Sequence, residues 1–163
     1  MAADEDEVFA TRSTRDGGVW EFARDEKGDC PCKRAMFAYT KYGTAIEQTI
    51  RAREFLAMLE AAEKGRLVRG EKADVARIYR HKTLPNLYEL RFGRVKPIPG
   101  EALPVQFRLY FAEPPEVDGL MLGLSFEKKS IEGLTDEEIQ AEQNRSIDDA
   151  AAIYAMWRAQ HSS

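Results

Sequence analysis

The middle of the chain reads LYELRF at 87–92, FRLYF at 107–111 and LMLGLSFEKK at 120–129, three strand-length runs joined by segments rich in Pro and Gly. Alternation at period two marks each run as a half-buried strand. In the first, Tyr88, Leu90 and Phe92 share a face, with Glu89 and Arg91 opposite. In the second, Val105, Phe107, Leu109 and Phe111 alternate with Gln106, Arg108 and Tyr110. In the third, Leu120, Leu122, Leu124 and Phe126 alternate with Gly123, Ser125 and Glu127, and Lys128 and Lys129 close the run. The expectation is a sheet with one apolar side and one polar side, the polar side carrying two arginines and two glutamates. That polar side is where function is expected to lie.

Outward from this core, residues 1–16 are acidic and then polar, and are expected to lack fixed structure. VWEF at 19–22 reads as a short strand on an edge of the sheet, followed by a loop broken by Gly28 and Pro31. A helix of about two turns is expected from Lys33 to Thr40, ended by Tyr42 and Gly43. Thr44 and Glu47 form a capping box for a second helix, which stops at Gly65 and buries Ile46, Ile50, Phe55, Leu56 and Leu59 as a stripe, with its Arg and Glu residues on the wet face. A short helix is expected near 73–79. Beyond Lys129, Thr135 and Glu138 form a second capping box. An apolar pattern through Ile147, Ala151 and Tyr154 follows, and Ser146 is placed to cap a second segment, so one bent helix or two are expected. The links between the three strands are too short for parallel crossovers, so those strands should be antiparallel. The order β-α-α-β-β-β-α gives class α+β: an antiparallel sheet of about four strands packed against helices.

A length of 163 residues suits one domain with a sizeable core, here 17–163, with a helical extension from about 146. No run approaches the ~20 apolar residues of a membrane span, and the opening MAADEDEV lacks a secretory layout. Both point to a cytoplasmic location. Cys30 and Cys32 form C-x-C, with His81 and His161 distant in sequence, so neither a metal site nor a cofactor is expected and the thiols should be free. The net charge of −4 hides an uneven distribution. Residues 64–96 hold ten Lys/Arg against three Asp/Glu, whereas 112–142 hold two Lys against nine acids. A basic segment in a weakly acidic chain can still bind phosphate locally, because screening limits what distant charges contribute; the alternative is a solvated loop and helix end.

ELRF, then FRLYF, then LGLSFEKKS followed by LTDEEIQAEQNR resembles the RelE/HigB superfamily of toxins from toxin–antitoxin systems, closest to its phage-derived HigB-like branch. VWEFARDEKGDCPCKRAMFA is similar to that branch's first strand, loop and first helix, so the resemblance spans about residues 19–145. It implies a RelE-like fold and an endoribonuclease that cleaves mRNA, often on the ribosome, and is neutralised by a cognate antitoxin. Arg91 and Arg108 take the places of basic residues on successive strands, and Lys128 and Lys129 that of a basic pair at a strand end. Two departures stand out: the chain is acidic where ribosome-bound toxins tend to be basic, and Glu89 stands where some members carry lysine.

Metal-free RNA cleavage needs a base for the 2′-OH, an acid for the leaving 5′-oxygen and cations on the phosphorane. Arginine suits the last task through its planar, always-charged fork. The catalytic candidates are Arg91, Arg108, Lys128, Lys129 and Glu89, with Glu127 a second candidate base. Tyr110, Arg94, Lys96 and His81 are candidate RNA contacts, Tyr110 by stacking on a base or donating a proton. The competing reading makes Arg91 and Arg108 ordinary cross-strand partners of Glu89 and Glu127, worth ~0.2–1 kcal/mol each. The matching functional alternative is a non-catalytic protein of the same fold that binds a protein partner or RNA through this face. A DNA-binding regulator is the weaker third reading, because no helix-turn-helix pattern is evident.

Overall fold

Strand β1 (Val19–Phe22) leads into helices α1 (Pro31–Tyr39) and α2 (Ala45–Glu63). Strands β2 (Val75–Arg77), β3 (Leu87–Phe92), β4 (Val105–Ala112) and β5 (Leu120–Ser130) follow, and helix α3 (Asp136–His161) closes the chain. This computed structural model describes residues 11–68, 74–92, 105–130 and 133–161. The class is α+β, with a mixed sheet of five strands in the order β1-β5-β4-β3-β2. The three central strands are antiparallel as expected, and β1 lies on an edge, parallel to β5.

The fifth strand is β2, where a short helix was expected at 73–79. Val75 to Arg77 pair antiparallel with Tyr88 to Leu90, so the outer edge of β3 finds backbone partners there instead of remaining open. The stretch expected to lack structure is built into the fold from Thr11. Arg12–Thr14 form one 3₁₀ turn, Ser13 is fully buried, and its carbonyl accepts from Leu67 N–H at 2.9 Å.

Both capping boxes form. Thr44 and Glu47 bond reciprocally at the start of α2, and Thr135 and Glu138 do so at the start of α3. Helix α3 then runs unbroken through Ser146. The stripe expected along α2 is rotated: Phe55 and Ala62 are buried, but Ile46 is 73% exposed and Leu56 also faces out. Ile46 lies about two and a half turns before Phe55, which puts it on the opposite side of the helix. The inward face instead includes Arg51, fully buried although the arginines of α2 were expected in water. Its guanidinium donates to the carbonyls of Tyr39 (3.2 Å) and Tyr42 (2.8 Å), satisfying acceptors at and just beyond the end of α1.

The sheet has no free polar side. One face packs on α1 and α2 through Tyr88, Leu90, Phe92, Phe107, Leu109, Phe111, Met121 and Phe126. The other packs on α3 through Leu87, Tyr110, Ala112, Leu120, Leu122 and Leu124, which meet Ile147, Ala150, Ala151, Tyr154 and Trp157. Phe126 and the leucines of β5 were expected on one face, but a register shift separates them. Phe111 pairs with Gly123 and Tyr110 with Ser125, leaving Leu124 as an extra residue. A bulge of this kind sends two successive side chains to the same side. Leu120, Leu122, Leu124, Ser125, Glu127 and Lys129 therefore face α3, while Met121, Phe126 and Lys128 face α1 and α2.

The first core is aromatic. Phe55 meets the rings of Phe92, Phe107 and Phe126 edge-on, with centroids 5.6, 5.2 and 5.1 Å away. Such contacts add to the area that each ring buries. Phe55→Ala should lower stability by about 3–5 kcal/mol in urea unfolding, because three ring edges lose their partner at once.

Candidate functional site

On the α3 side the register places Arg91, Arg108 and Glu127 abreast on β3, β4 and β5, and Glu89, Tyr110 and Ser125 abreast one row away. Lys129 lies one further row along β5 on the same face. Two guanidiniums directly opposite one another repel. Glu89 resolves this: its Oε1 lies 3.0 Å from Arg91 Nε and 2.9 Å from an Arg108 terminal nitrogen. The residue is 2% exposed, so Glu89 is a buried clamp between two arginines and not an open base. A carboxylate buried at this depth is tolerated because it is paired twice.

Lys129 is 6% exposed, and its ammonium has no hydrogen-bond partner among the described residues. Burial lowers its pKa to about 8, helped by the positive charge of Arg108, with Glu89 and Glu127 pulling the other way. Glu127 is held at both oxygens: Tyr110 donates to Oε1 at 3.3 Å and Ser146, from α3, to Oε2 at 2.7 Å. Arg91 is the most open of the cations, its side chain 36% exposed against 12% for Arg108. It lies just beyond the start of β2, whose first residue, Val75, pairs with Leu90.

Arg91, Arg108, Lys129 and Glu89 thus lie on one face of the sheet, joined by Glu127. Lys128 does not. It pairs with Phe107 on the opposite face, and its backbone N–H donates to the Tyr39 hydroxyl at 3.3 Å. The bulge at Leu124 does not alter the fact that neighbouring strand residues point oppositely, so only one of two adjacent lysines reaches the cluster. Tyr110 is fully buried and has no ring face on which a base can stack, which removes that role. It keeps its hydroxyl beside Glu127, and burial together with that carboxylate pushes its phenol well above the usual range. His81 is elsewhere engaged. It lies 2.7 Å from Asp148 of α3, which also takes a two-pronged contact from Arg80, and Arg80 first and His81 next hold the Asp148 carboxyl down at about 2. Arg94 and Lys96 lie outside the described residues.

The participant that sequence reasoning missed is Ser146. Its sequence context suggests a cap for a second helical segment, not a partner on the sheet, and only the return of α3 across the sheet brings it to Glu127. Among the described residues no group of three or more His, Cys, Asp or Glu is arranged to hold a metal ion, and no helix is long and apolar enough to cross a membrane. No protein-family model matches the chain, and no curated protein matches it.

The lowered pKa of Lys129 has a definite consequence for stability. Between about 8 and the ordinary 10.5 the unfolded chain holds a proton that the folded chain has released, so this residue's contribution to stability rises with pH across that window. Below pH 8 its cost is fully present. Lys129→Met should therefore be more stable than the parent at pH 7, by up to about 3 kcal/mol. The difference should shrink toward pH 10.5 when urea unfolding of the two is compared at each pH.

Proposed function

We propose that this chain is a metal-independent endoribonuclease of the RelE/HigB toxin kind, acting on mRNA in the cytoplasm and neutralised by a cognate antitoxin. The single observation that carries the reading is the convergence of Arg91, Arg108 and Lys129 with the carboxylate of Glu127 on one side of three adjacent strands. The set holds the group types that internal phosphoryl transfer requires. The α+β class, with three antiparallel central strands, and the resemblance of the strand sequences support its assignment to that class.

In this reading Glu127 takes the proton from a ribose 2′-OH as its oxygen attacks the adjacent phosphorus. Arg91 and Arg108, aligned by Glu89, hold the two non-bridging oxygens as charge builds on the phosphorane. The bond from phosphorus to the 5′-oxygen breaks, and that oxygen takes a proton from Lys129. The products are a 2′,3′-cyclic phosphate and a 5′-hydroxyl. With its pKa near 8, Lys129 is mostly protonated at neutral pH yet releases the proton more readily than an ordinary lysine, which suits an acid. The exposed flank of Arg91 is the side from which a phosphate approaches.

A second reading rests on one specific feature. Glu89 already neutralises both arginines and α3 lies across the same face, which suits a non-catalytic protein that binds a protein partner or RNA there. Induced expression separates the two. The ribonuclease reading expects growth arrest and, with purified protein, cleavage of RNA that leaves cyclic-phosphate ends. Arg91→Ala and Glu127→Gln should each lower the cleavage rate by roughly 10²–10³-fold with the fold intact by circular dichroism. Unimpaired growth, an inactive purified protein and a stable complex recovered by pull-down would establish the binding reading instead.

A further inference from the structure

Glu127 is held from two different elements. Tyr110 comes from within the sheet and is fixed by complete burial. Ser146 comes from α3, at the point where that helix passes from half-exposed to buried: Ile147 is next, and Asp148 is tied to Arg80 and His81. Further along, the Tyr154 hydroxyl donates to the Pro85 carbonyl at 3.0 Å. The register of α3 over the sheet is thus set on the buried side of Ser146, and its hydroxyl is a rigidly placed donor. A serine inside a helix usually returns its proton to the carbonyl four residues back. Here that carbonyl, of Glu142, lies at 3.0 Å and the Glu127 oxygen is closer, at 2.7 Å.

We infer that Ser146 is a positioning residue for Glu127, so that α3 completes the catalytic site and is not only a cover over the sheet. This rests on the ribonuclease reading above. With one donor on each oxygen, the carboxylate cannot rotate freely. The remaining lone pair directed at the 2′-OH then keeps a constant angle, as proton abstraction in a transition state requires. Ser146 keeps its own proton throughout, and the proton from the 2′-OH goes to Glu127. The geometry also sets Glu89 and Glu127 apart: Glu89 is committed to two guanidiniums, whereas Glu127 is oriented by two neutral hydroxyls and stays available.

The test is a cycle of Ser146→Ala, Ser146→Thr, Glu127→Gln and the Ser146→Ala/Glu127→Gln pair. Each is assayed for steady-state cleavage of a short RNA, and each for thermal unfolding without RNA. Ser146→Ala should lower kcat about tenfold, the effect of one misdirected hydrogen bond, with KM changed less than about twofold. Ser146→Thr should restore most of the rate. In the Glu127→Gln background, followed with enzyme in excess, Ser146→Ala should cost nothing further, and the unfolding temperatures should show the same lack of additivity. A Ser146→Ala rate equal to or above the parent's, or losses that simply add, would overturn the inference while leaving the ribonuclease reading in place. A parent protein that cuts no RNA would overturn both, with thermal coupling between Ser146 and Glu127 then marking only a structural contact.

Discussion

One extra residue in β5 governs what each side of this sheet holds. Had β5 continued at a strict period of two past Leu124, Phe126 would have joined the leucines, and Glu127 would have turned toward α1 and α2. The shift of register between Tyr110 and Phe111 instead keeps Leu120, Leu122 and Leu124 under α3 and returns Phe126 to the aromatic core. The same shift puts Ser125, Glu127 and Lys129 beside Tyr110 and Arg108. Bulges cost ladder pairing locally and occur where a strand must re-aim its side chains. Here both the second core and the charged cluster depend on one.

The α3 side is divided between two kinds of chemistry. Leucines and alanines meet Ile147, Ala150, Ala151, Tyr154 and Trp157 at one end, while the other end holds ionised groups largely removed from water. Buried charge is costly unless paired. The arrangement answers that cost unequally: Glu89 serves two arginines, Glu127 takes two hydroxyls, and the Lys129 ammonium has no hydrogen-bond partner among the described residues. A site that leaves one charge unsatisfied is less stable than it needs to be, which is a common mark of places kept for binding or reaction rather than for folding.

Helix α3 has a double part in this. Its second half is the partner without which the leucines of β5 face water, and it is pinned at Asp148 and Tyr154. Through Ser146 it also reaches the charged end of the face. The polar rim is therefore composite, built from three strands and a helix that follows them directly in the chain.

Part of the local chemistry was legible in the sequence. The three central strands, both capping boxes, the edge position of β1 and the shared face of Arg91 and Arg108 follow from alternation, cap spacing and loop length, all of which act over a few residues. The tertiary structure decided the rest. The pairing needs of β3's outer edge made a strand of Val75–Arg77. Arg51 lies inward on the carbonyls closing α1, on the face of α2 that also buries Phe55 and Ala62. The bulge follows Gly123, a glycine inside a strand pattern that hints at one, but strict alternation gives the extra residue no place. Alternation leaves Lys128 on the face opposite Glu127 and Lys129, while α3 lying across the sheet makes Tyr110 core and brings Ser146 to Glu127. Period-two reasoning carries no information about an inserted residue, and a one-residue slip inverts every side chain beyond it.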